Sequence, residues 1–118
     1  MGRGRAALWQ VSNRLLTYKI VVYDNAHYMD SDESYEQGTY STAEAAISAA
    51  KKIVDDFLAR EYRPGMKALV LYKQYTSFGD DPHINAPVGE RIEFSGWKYA
   101  EQRCGEICGE QFRASKKN

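Results

Sequence analysis

The chain has 118 residues, 16 of them basic and 16 acidic, with zero formal net charge and 43% hydrophobic residues. That length fits one domain, and that apolar share can bury an ordinary core, which excludes a largely disordered chain. The longest apolar run, residues 68–72, is far too short for a membrane span, and balanced charge argues against a broad phosphate-binding surface, so neither membrane nor nucleic acid is an expected partner.

Residues 1–23 hold four bases, Arg3, Arg5, Arg14 and Lys19, and no acid. Ala6-Ala7-Leu8-Trp9 is cut off by Gln10, too short for the core of a secretory signal, and Ala6 stands where a myristoylation site needs a hydroxyl. The reading is a flexible basic extension over 1–16, a single domain over 17–112, and a disordered basic tail over 113–118. Residues 17–23 are rich in β-branched and aromatic side chains and predict a strand, with Tyr18, Ile20 and Val22 on one face and Lys19, Val21 and Tyr23 on the other. A polar loop over 24–33 follows. Residues 34–40 then predict the return strand of a hairpin.

Ser41-Thr42-Ala43-Glu44 has the form of a capping box with Ser41 as the cap. Beyond it, Ala46, Ile47, Ala50, Ile53, Val54, Phe57 and Leu58 recur at helical spacing, and the helix is expected to stop before Pro64-Gly65. Residues 66–78 fit either a strand or a helix. The helical reading is preferred because it gathers Ala68, Leu71, Tyr72, Tyr75 and Phe78 on one face and puts Gly79 at a left-handed cap. Asp80-Asp81-Pro82 reads as a turn and residues 92–94 as the best third strand. Ser95 then caps a last helix carrying Trp97, Ala100, Cys104, Ile107 and Cys108, whose final turns Gly105 and Gly109 are expected to weaken. The predicted fold is α+β: a small antiparallel sheet built on a β-hairpin, with two or three helices on one face, in the order β-β-α-α-β-α with the fourth element open to being a strand.

The runs D-N-A-H-Y-M-D (24–30), G-T-Y-S-T-A-E-A (38–45), F-G-D-D-P-H-I (78–84) and F-S-G-W-K-Y-A-E-Q-R-C (94–104) resemble a family of short bacterial proteins of unassigned function. The likeness spans residues 18–104. It implies a stand-alone bacterial domain and brings no activity, cofactor or site.

The candidate ligand or partner loop is the segment holding Asp24, Asn25, His27, Tyr28 and Asp30, followed by Asp32 and Glu33, with no Lys or Arg between Lys19 and Lys51. Carboxylates with an imidazole suit a divalent cation, yet neither Asp24 nor Asp30 has a glycine at the sixth position, and Asp and Asn also build turns through their own backbone. Turn chemistry is therefore the leading explanation, and no metal or cofactor is assigned. Three chain reversals predict that His27 and His83 fall at opposite ends of the domain, which argues against a shared metal site. Cys104 and Cys108, four apart on a helix, are badly placed for a disulfide and read as small buried hydrophobes of a cytoplasmic protein. No serine or cysteine sits in a nucleophile motif, and no glycine-rich loop follows a strand to cradle a phosphate. A His27–Asp24 pair could supply a general base. The expected function is a small non-enzymatic module that binds a protein partner or itself, on a sheet face lined by Lys19, Val21, Tyr23 and second-strand tyrosines. The alternative is a small ligand- or metal-binding domain or enzyme using the Asp24–Asp30 loop.

Overall fold

The computed structural model describes residues 17–27 and 34–114. Residues 1–16 and 115–118, which include the proposed basic extension and most of the proposed tail, lie outside that description. Strands β1 (Tyr18–Asp24), β2 (Tyr35–Tyr40) and β3 (Asp80–Asn85) form one antiparallel sheet in the order β2-β1-β3. Helices α1 (Ala43–Glu61), α2 (Ala68–Phe78) and α3 (Gly96–Cys108) complete the order β-β-α-α-β-α. The fold is α+β, as the patterning predicts, and residues 68–78 are helical.

The alternation in β1 sorts its side chains as expected: Tyr18, Ile20 and Val22 are buried, while Lys19 is exposed and Val21 and Tyr23 are half-buried. Ala46 and Ala50 on α1 are small, so the helix backbone can lie close to the sheet, and Ala50 packs with Ile20 and Val22. Farther along the same stripe, Val54, Phe57 and Leu58 turn to the other helices and pack with Ala68, Leu71 and Tyr75 of α2 and with Ala100 and Cys104 of α3. One helix thus belongs to both parts of the core. Each large side chain fully buried there contributes about 1.5–3 kcal/mol.

Several local expectations are corrected. The cap of α1 is Thr42, whose Oγ1 accepts from the Ala45 amide at 3.1 Å. Moving the cap one residue puts Ala45, not Glu44, at the third helical position, so the reciprocal half of a capping box cannot form. Gly79 is extended, with φ −79°, rather than left-handed. Its lack of a side chain matters sterically, because a Cβ there would meet the Tyr75 ring and stand 2.8 Å from the Tyr75 carbonyl oxygen. Phe78 is 67% exposed, outside the apolar face assigned to it. Gly109 is the residue that is left-handed, with φ 69°, closing α3 as a C-cap. Gly105 admits the returning chain, whose Glu110 amide donates to the Gly105 carbonyl at 3.0 Å. These two glycines end the helix cleanly rather than merely weakening it.

The third strand is at 80–85, not 92–94, and Asp80-Asp81-Pro82 is part of it. β3 is an edge strand, where a proline with no N–H is tolerated. The predicted separation of the histidine-bearing segments is overturned with it. Asp24 pairs with Asp80, and the Asn25 amide donates to the Gly79 carbonyl at 2.9 Å, so the turn after β1 lies beside the start of β3. His83 then stands opposite Val21, within the sheet. The reversal count fails at the helices: Arg60, near the end of α1, bears on Asp80, and α2 also ends there, so α1 and α2 are not a simple up-and-down pair.

Candidate functional site

At the end of β1, Asp24 Oδ1 accepts from the Ala26 amide at 2.9 Å and folds Asn25–His27 into one 3₁₀ turn. Asn25 points inward and is 7% exposed. Its Nδ2 donates to the Tyr75 carbonyl at 2.8 Å, and its Oδ1 accepts from Trp97 Nε1 at 3.1 Å. One side chain therefore ties β1 to the last turn of α2 and the first turn of α3. His27 is exposed. Tyr28 and Asp30 lie outside the described residues. Of the loop residues singled out in the sequence, Asp24 and Asn25 are engaged in building the turn, and neither they nor His27 reaches the clefts described below.

A second run, beside the first, arranges similar residues differently. Asp81 and His83 alternate along β3 and so share a side of the sheet. Asp81 is 4% exposed, and its Oδ2 lies 3.0 Å from His83 Nε2. A carboxylate has no proton to give, so the imidazole N–H donates. This bond raises the His83 pKa above its ordinary 6.5, against an opposing effect of partial burial. Tyr23 meets the imidazole edge-on at 4.9 Å between ring centres. Together these contacts fix the ring and leave Nδ1 as the nitrogen available to a ligand.

Asp81, Pro82 and His83 form one wall of a cleft of about 380 Å³, and Phe94, Ser95, Gly96 and Trp97 form the other. Ser95 Oγ accepts from the Lys98 amide at 3.2 Å and is occupied as the cap of α3, as the sequence predicts. Gly96 allows close approach here: a Cβ would lie 2.5 Å from Asp81 Oδ1 and 2.9 Å from the Tyr75 hydroxyl. That hydroxyl donates to the Asp80 carbonyl at 2.8 Å, and burial pushes the phenol far above its usual pKa. Burial, followed by the charge of Asp24, also raises the Asp80 carboxyl, while Arg60 works in the opposite sense. Farther along α3, Tyr99 Oη and Arg103 Nε donate to the two oxygens of Asp55, each at 2.9 Å, and lock α3 onto α1. Burial and the bond to Asp55 push Tyr99 up to about 12.

Other features carry less chemistry. A wider cleft of about 790 Å³ beside α3 is lined by residues such as Glu101, Glu106, Phe112 and Arg113, and none of its ionisable groups is buried. Cys104 is buried, which pushes its thiol up to about 12, so the thiolate needed for nucleophilic attack is suppressed. Among the described residues, no three His, Cys, Asp or Glu side chains come together as metal ligands, and no helix is long and apolar enough to cross a membrane. Lys19, Val21 and Tyr23 do share the sheet face away from the helical core, with Lys19 3.8 Å from Glu36 of β2. Tyr18 is instead buried, and Tyr40 packs toward the core.

Asp81, His83 and Trp97 escape a reading of the sequence that treats 80–82 as a turn. The available signal is Asp-x-His, because a strand brings residues two apart onto one side. The chain shows no match to any family model, to any curated protein or to any solved structure at the level taken as significant.

Proposed function

We propose that this protein works by binding a small ligand in the cleft between β3 and the start of α3. The observation that carries this reading is the buried Asp81 carboxylate holding the half-exposed His83 imidazole at 3.0 Å on the cleft wall. Burying a carboxylate costs several kcal/mol unless it is paired and hydrogen-bonded. Here the pairing orients an imidazole toward solvent, an arrangement suited to recognising a ligand group or moving a proton. The volume lies near the lower end of the roughly 300–1,000 Å³ typical of small-molecule sites. The test is a thermal-shift screen of common metabolites and divalent cations on the wild type and His83→Ala. A compound that raises Tm in the wild type but not in the variant supports the reading. Equal responses in both proteins, or none in either, reject it.

Self-association is a second reading, and β2 favours it. The outer side of β2 is unpaired among the described residues, and the strand carries neither Lys nor Pro to blunt it. Two copies could join along this edge and leave both clefts free. Sedimentation should then show a concentration-dependent dimer that Thr39→Pro abolishes, and a strict monomer at high concentration would contradict it. The free thiols of Cys104 and Cys108 suit a cytoplasmic setting.

A further inference from the structure

Resting on the ligand reading above, we infer that the cleft takes a small aromatic monocarboxylate, with its ring against Phe94 and Trp97 and its carboxylate on His83 Nδ1–H. The lining supplies both halves of that ligand. Phe94 and Trp97 offer aromatic surface, Trp97 being 39% exposed, and Pro82 is fully buried in the facing wall. The Trp97 ring is held in place by its bond to Asn25 Oδ1. A flat apolar body can therefore stack against a preformed wall at little conformational cost.

The polar half is selective because the charges in the lining are few. Asp81 is sealed, and its Oδ2 is engaged by His83, so an entering group meets the imidazole rather than the carboxylate. Among the described residues, the titratable groups facing His83 are Asp81 on its own strand and Tyr23 on β1, and residues 94–97 bring none. With Nε2–H given to Asp81, a protonated ring presents Nδ1–H outward as a charged donor. The upward pull of Asp81 extends this protonated form toward neutral pH. Among the described residues, the lining contains no Lys or Arg. One charged donor matches a singly charged carboxylate and falls short of the several donors that a phosphate requires. A cationic ligand would meet the imidazolium first and be repelled.

The experiment titrates the full chain with benzoate, benzamide, benzylamine and inorganic phosphate, following the Trp97 indole and His83 ring signals by NMR. Trp9→Phe identifies the Trp97 indole. The expected result is that benzoate shifts both signals and that affinity falls about tenfold or more in His83→Gln, which keeps a donor but cannot carry the charge. The amide spectrum of that variant checks that the fold is intact. In the wild type, benzoate affinity should fall as pH rises through the His83 pKa, while any benzamide affinity stays flat. If benzamide, benzylamine or phosphate binds the same residues as tightly as benzoate, the inference fails while the cleft reading stands. If no probe moves Trp97 or His83, both fail.

Discussion

Asp24-Asn25-Ala26-His27 and Asp80-Asp81-Pro82-His83 have nearly the same make-up, an acid three residues before a histidine, and they begin as partners across the sheet. In the first run the chain coils into a 3₁₀ turn. Asn25 is carried into the interior and His27 out into solvent. In the second the chain stays extended, so Asp81 and His83 meet at 3.0 Å. Backbone conformation, not composition, decides which run becomes a structural pin and which a chemically poised pair.

The contrast can be broken most forcefully at the pin. Asn25→Leu removes the Oδ1 that accepts from Trp97 Nε1 and one of the two donors to the Tyr75 carbonyl, which keeps the Gly79 amide. Two lost hydrogen bonds, one of them buried, at roughly 1–1.5 kcal/mol each put the loss in urea unfolding at about 2–3 kcal/mol. A loss below about 0.5 kcal/mol would show that Asn25 is not a pin. Gly96→Ala should come next, at about 1–3 kcal/mol, because its methyl group would press on Asp81 and the Tyr75 hydroxyl.

The poised pair predicts a dependence on pH. Since His83 has a raised pKa when folded, its pairing adds stability that is fully present below the unfolded value of about 6.5 and is lost as pH rises through the folded value. The stability difference between the wild type and His83→Gln should therefore be larger at about pH 5.5 than at about pH 8.5, as read from paired urea curves. A difference that is constant or grows with pH would reject the pairing. The smallest effect belongs to exposed His27. His27→Ala should stay within about 0.5 kcal/mol of the wild type and leave ligand-induced shifts unchanged.

Periodicity made much of this architecture readable. The α1 stripe from Ala46 to Leu58 and the two faces of β1 are visible because apolar spacing reports directly on what a helix or strand can bury. Asp80-Asp81-Pro82 does not read as a strand, since both acids and proline are poor strand formers. Pairing with β1 overrides that preference at a sheet edge. The candidate site is hidden along with the strand, because the meaning of Asp81 and His83 lies in their two-residue spacing on an extended chain. Asn25 stands out in the sequence only as part of a polar loop, because its partners Tyr75 and Trp97 lie 50 and 72 positions away, beyond the reach of local pattern.

The most direct measurement is an NMR titration of the His83 ring nitrogens in the wild type and Asp81→Asn. The account predicts a wild-type pKa above 6.5, a neutral form protonated on Nε2, and a lower pKa once the Asp81 charge is removed. A His83 pKa at or below 6.5 that Asp81→Asn leaves unmoved would contradict it.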